Sequence, residues 1–141
     1  DLFFKKGILH EDEQFTPRAV LKASRMINSG FCAYHYIVRE NSIMTMSDKR
    51  KNIKDFHDTC MELENIYNAI QDRVVREYML DSLVGKYLSL YASGNMIQFG
   101  KEYIYKDFVL KYSFSNKNKK KSFLFCLSPR LYCVIHRLVK K

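Results

Sequence analysis

The stretch KNIKDFHDTCMELENIYNAI, residues 51–70, followed by RVVREYMLDSLVGKYLSLYA, residues 73–92, decides the fold. In the first, Ile53, Phe56, Cys60, Leu63, Tyr67 and Ile70 recur at steps of three and four, so from Lys49 onward they share one face of a long helix. In the second, Val75, Met79, Leu80, Leu83, Tyr87, Leu88 and Tyr91 follow a similar rhythm, and Ser93-Gly94-Asn95 supplies a stop. A short polar turn around Gln71 and Asp72 joins the two. The pattern predicts an antiparallel helical hairpin whose apolar stripes bury one another.

Toward the C-terminus, MIQFGKEYIYKDFVLKYSF (96–114) reads as a third helix, with enough aromatic residues to leave a strand open. The segment 117–141 is a basic tail: a lysine cluster, an apolar run, a Ser-Pro break and an amphipathic stretch with Leu131, Val134, Ile135 and Leu138 on one side. Such a tail fits a helix lying in a membrane interface, with Lys and Arg beside acidic head groups. It also fits an ordinary C-terminal helix docked on the body. The formal net charge is +9, and the tail carries most of it: Lys117, Lys119, Lys120, Lys121, Arg130, Arg137, Lys140 and Lys141 occur there without a single Asp or Glu. A nucleic-acid-binding module would spread such charge over a folded face and show a binding motif. Neither is visible, so no nucleic acid is expected as a partner, although a helical interaction module or a nucleic-acid-binding module stays as the alternative class.

Toward the N-terminus the helical rhythm weakens. Residues 2–9 suit a short strand or turn, with Gly7 permitting a tight bend. Thr16-Pro17 suits a helix start, Thr as N-cap and Pro at the first helical position, with the helix running through Ala19, Val20, Leu21, Ala23 and Met26 to Asn28 and closing at Ser29-Gly30. FCAYHYIVR, residues 31–39, is β-branched and aromatic and reads as a strand. The expected class is therefore mainly α with a β contribution, an α+β chain. Its 47% hydrophobic content is enough for a real core. No apolar run reaches the roughly 18 residues a membrane-spanning helix needs, and no signal-peptide pattern is present. The four cysteines lack metal-like spacing and suit free thiols in a reducing compartment. The opening DLFFKKG, without Met, reads as a cut from within a longer protein.

Two motifs together carry a family resemblance. GILHEDEQFTPRAVLKA (7–23), followed by YHYIVRENSIMT (34–45), resembles the C-terminal part of a bacterial family 2 glycosyltransferase of the kind that builds capsule, exopolysaccharide or lipopolysaccharide. That resemblance implies a remnant of the acceptor side of a GT-A fold over 1–48, a helix plus short strands, then a helical, bundle-like extension over 49–116 and the tail 117–141. By match to the family's Glu-Asp pair, Asp12 would be the general base and Glu11 its neighbour at the acceptor. Arg39, Ser42 and Thr45 would lie over the donor diphosphate. The resemblance further implies a nucleotide-sugar donor, a saccharide or lipid-linked acceptor, and a magnesium or manganese ion whose ligands fall mostly outside this chain, since no Asp-x-Asp occurs in it. A cytoplasmic enzyme peripheral to the inner face of the membrane would follow, inactive without its donor-binding half. Strands cut from their sheet leave edges that a second copy can pair, so a homo-oligomer is allowed.

Residue types alone give plainer readings of the same motifs. His10-Glu11-Asp12-Glu13 is an ordinary acidic helix N-terminus, where carboxylates complement the helix dipole. The two readings are compatible. Arg39 is an ordinary surface arginine, and His35, alternating with tyrosines, suits a structural role better than metal ligation.

Overall fold

The structure, a computed structural model, describes residues 2–28, 30–32, 34, 35, 37, 48 and 50–139. Among these residues there are six α-helices, two 3₁₀ turns and no strand. The helical part of the expected class is present; the β part is not. The chain divides into two compact units, Asp1–Phe56 and His57–Lys141, and the division falls inside helix α2 (Arg50–Asn68).

In the first unit, helix α1 spans Glu11–Lys22 and so begins before the Thr16-Pro17 start. His10 adopts the left-handed conformation (φ 57°, ψ 47°) and turns the chain into the helix, and the Glu13 N–H reaches back to the His10 carbonyl at 3.1 Å. Pro17 consequently sits inside the helix, where it has no N–H to offer the Glu13 carbonyl. Contacts around the first turns outweigh that loss. Gln14 is buried and accepts from Arg18 Nη1 at 3.1 Å, and the Phe15 ring stacks on Phe4 with centroids 4.2 Å apart. The helix also ends early, at Lys22, where Ala23 turns extended. Met26 and Ile27, beyond that end, are exposed.

The strand expected over 31–39 falls partly outside the described residues. Its described members, Phe31, Cys32, Tyr34, His35 and Ile37, form no ladder and are exposed. A strand needs a neighbour to take its backbone hydrogen bonds and cover one face. Residues 2–9, the other strand candidate, instead make a turn at Gly7 (φ 83°).

The second unit is built on helix α3 (Arg73–Ser93), which Asp72 caps by accepting from the Val75 N–H at 2.9 Å. Leu80, Leu83, Val84, Tyr87, Leu88, Tyr91 and Ala92 are buried over a wide arc of α3, as befits a central helix. The single helix expected over 96–114 is broken. Two 3₁₀ turns, Met96–Gln98 and Lys101–Tyr103, precede a short helix α4 (Lys106–Lys111). Gly100, at φ 139°, supplies a conformation that a helix cannot continue through. The Tyr87 hydroxyl then fixes the break, donating to the Tyr103 carbonyl and accepting from the Tyr105 N–H at 3.0 Å. Helices α5 (Asn116–Leu127) and α6 (Pro129–Val139) complete the unit, both packed against α3. Phe125, fully buried, meets Tyr87, Tyr91 and Tyr132 edge-on where α3, α5 and α6 converge.

Helix α5 starts on a run of lysines, which its own dipole opposes. Asp81 of α3 compensates: its Oδ1 accepts from the Phe114 and Ser115 N–H groups at 2.8 and 2.9 Å, and its Oδ2 accepts from Asn118 Nδ2 at 2.9 Å.

Two tyrosines of α3 give opposite expectations for one substitution. Tyr87→Phe removes a hydroxyl that serves two backbone groups and is expected to cost about 1–3 kcal/mol. Tyr91 is equally buried, its phenol pushed up to about 12 by that burial, yet its hydroxyl has no hydrogen-bond partner among the described residues. Tyr91→Phe is therefore expected to raise stability by about 1 kcal/mol. Urea midpoints of the two variants check this, and shifts in the same direction would refute the assigned roles.

Candidate functional site

The first unit holds a carboxylate pair on an anchored helix start. Glu11 and Asp12 occupy the first turn of α1, both exposed, with half-buried Glu13 behind them. What fixes this turn lies at the start of α2. Asn52 Nδ2 meets His10 Nε2 at 2.7 Å, Asp55 Oδ2 accepts from the Leu9 N–H at 2.8 Å, and Lys51 Nζ donates both to the Gly7 carbonyl at 2.7 Å and to Asp55. Residues 7 to 10 are thus held at three points. In the acidic turn that follows, Glu11 and Asp12 are exposed, as a site for a polar ligand requires.

Asp55 is the hub of the clamp. Burial alone would push its carboxyl up, but hydrogen bonds from Lys51 and the Leu9 N–H, with the charges of Lys51 and Lys54, outweigh burial and hold it below the ordinary aspartate value. A depressed carboxyl stabilises the folded arrangement above its unfolded pKa of about 4, and that contribution is lost as pH falls through the lower folded value. The Leu9 amide is accordingly expected to be protected from hydrogen exchange at neutral pH and to lose protection below about pH 4. Asp55→Asn should remove that pH dependence. Protection that persists unchanged into strong acid would show that the carboxylate does not hold the loop.

Of the expected site residues, Glu11 and Asp12 are brought together at the α1 start. Arg39, Ser42 and Thr45 lie outside the described residues. His35 is exposed. The sequence reading missed the clamp itself, His10 with Lys51, Asn52 and Asp55. A signal was nevertheless present: Asn52 and Asp55 are polar residues at helical spacing beside the apolar stripe of α2, and both are buried. Buried polar side chains need partners, so such a pair points to a segment docked along it.

The second unit offers an open groove of about 570 Å³ with Lys86, Lys117 and Lys121 on its walls. Asp81 stands in the same wall, where it already takes the N–H groups leading into α5. The position an anion would occupy at that helix start is filled by a carboxylate. Among the described residues no group of three or more His, Cys, Asp or Glu side chains is placed to hold a metal ion. All four cysteines are free thiols, with Cys60 and Cys133 buried, Cys126 half-buried and Cys32 exposed. Set beside known proteins, the chain matches no family, no curated protein and no solved structure.

Proposed function

We propose that this chain is the acceptor side of an inverting glycosyltransferase that moves a sugar from a nucleotide-sugar donor to a saccharide or lipid-linked acceptor in cell-surface polysaccharide synthesis. The observation that carries the reading is the exposed Glu11-Asp12 pair on a helix start clamped by His10, Lys51, Asn52 and Asp55. A general base must be held in hydrogen-bond reach of the proton it takes. Rigid support beneath an otherwise uncovered carboxylate meets that need.

In the proposed reaction the acceptor hydroxyl oxygen attacks the anomeric carbon from the face opposite the nucleoside diphosphate. A new C–O bond forms, the bond to the diphosphate oxygen breaks, and the hydroxyl proton passes to Asp12. Glu11 holds a neighbouring hydroxyl of the acceptor. Arg39, Ser42 and Thr45 would bind the departing diphosphate through charge-assisted hydrogen bonds. The described residues do not fit a metal site, so a magnesium or manganese ion in the longer enzyme would take its ligands elsewhere. The longer enzyme would work at the cytoplasmic side of the membrane; among the described residues no helix is long and apolar enough to cross a bilayer.

The test is sugar transfer from a nucleotide-sugar by the longer enzyme carrying an upstream Asp-x-Asp. If Asp12→Asn transfers sugar at the unmutated rate, Asp12 is not the base and the reading falls.

A further inference from the structure

Helix α6 is amphipathic in the reverse of the usual sense. Its buried side chains are Tyr132 and Cys133, which face the core. Leu131, Val134, Ile135 and Leu138, at steps of three and four, lie roughly opposite them at 100° per residue and are all exposed. Helix α5 repeats the pattern. It buries Asn118, Ser122 and Phe125, whereas Phe123 (69% exposed) and Leu127 (68% exposed) stand on its outer side. Each helix is therefore already docked, and each still presents a row of large apolar side chains away from the core.

We propose that α5 and α6 seat these outer faces on an anionic lipid surface. Charge selects that occupant. Residues 116–139 contain no Asp or Glu. Exposed Lys119 and Lys120 lie one turn before Phe123, and exposed Arg130 and Arg137 line one edge of the apolar row of α6, Arg137 also donating to Asn95 Oδ1 at 2.7 Å. Apolar side chains bordered by long cationic ones are the arrangement of an interfacial helix, whose basic heads reach phosphates while the apolar row enters the acyl boundary. A second copy suits the face poorly, because a two-fold contact would set the same positive border against itself. This inference is independent of the glycosyl-transfer reading.

The full chain is to be floated with vesicles of equal parts phosphatidylcholine and phosphatidylglycerol, and with phosphatidylcholine alone. Binding is expected only to the anionic vesicles, weakening as salt rises. Leu131→Glu combined with Leu138→Glu should weaken it more than tenfold, and Lys119→Gln with Lys120→Gln by about fivefold per residue. Both leucines are exposed, so the thermal midpoint should hold; Phe123→Ser on α5 gives the same reading should the pair disturb folding. Three results overturn the proposal: leucine variants that bind like the unmutated chain, equal binding to neutral and anionic vesicles, or a vesicle-indifferent dimer that dissociates on the leucine substitutions.

Discussion

Phe125→Ala is expected to destabilise the unit His57–Lys141 by about 3–5 kcal/mol. The side chain is fully buried and lies edge-on to Tyr91 at 4.8 Å, to Tyr132 at 5.7 Å and to Tyr87 at 6.0 Å. Edge contacts of this kind add about 0.5–1.5 kcal/mol each beyond the area they cover. The void left by alanine would be walled by three rings from two other helices, and none can move inward without giving up its own packing. Small domains are stable by only about 5–15 kcal/mol in all. The thermal midpoint should therefore fall by at least about 12 °C. Phe123→Ala provides the contrast on the same helix: that ring is exposed, and its loss should change stability by no more than about 0.5 kcal/mol. A larger loss for Phe123→Ala than for Phe125→Ala would mean that α5 is turned the other way.

The second large effect concerns the proposed reaction. If the chain works as the acceptor side of a glycosyltransferase, Asp12→Asn in the enzyme that contains it is expected to lower the rate of sugar transfer by about a hundred- to ten-thousand-fold, the usual contribution of a positioned general base. The amide keeps the shape and the polar contacts of the carboxylate but cannot take a proton. The loss should appear in kcat, with donor affinity little changed. Glu11→Gln should act mainly on KM for the acceptor. Since Asp12 is exposed and carries none of the clamp, the variant should keep the thermal midpoint of the unmutated protein. A fall in rate matched by a fall in stability would assign Asp12 a structural role.

The apolar rhythm of 51–92 made two long helices legible, and Ile53, Phe56, Cys60, Leu63 and Tyr67 of the first stripe are buried as expected. Ile70 lies beyond the end of α2, and Val75, in the first turn of α3, is exposed. Periodicity works where one face decides burial. It fails where a partner remote in sequence decides. The start of α1 is set by His10 and by α2 side chains some forty residues on, whereas the Thr-Pro signal is local. The break that Gly100 permits is fixed by the Tyr87 hydroxyl, and the facing of α6 by which of its sides fits α3. Amphipathicity identified the row Leu131, Val134, Ile135 and Leu138, but a moment tells only that two sides differ, never which one meets the core. At the candidate site, the acidic pair was legible and its support was not, for the same reason.

Helix α5 is, in effect, borrowed. Its first two turns hold Lys117, Lys119, Lys120 and Lys121, a charge pattern that opposes helix nucleation in an isolated segment. The carboxylate that offsets them belongs to Asp81, a residue of another helix. The two helices that carry the outward apolar rows therefore depend on the central helix: α5 draws on Asp81 of α3 at its start, and α5 and α6 both pack against α3.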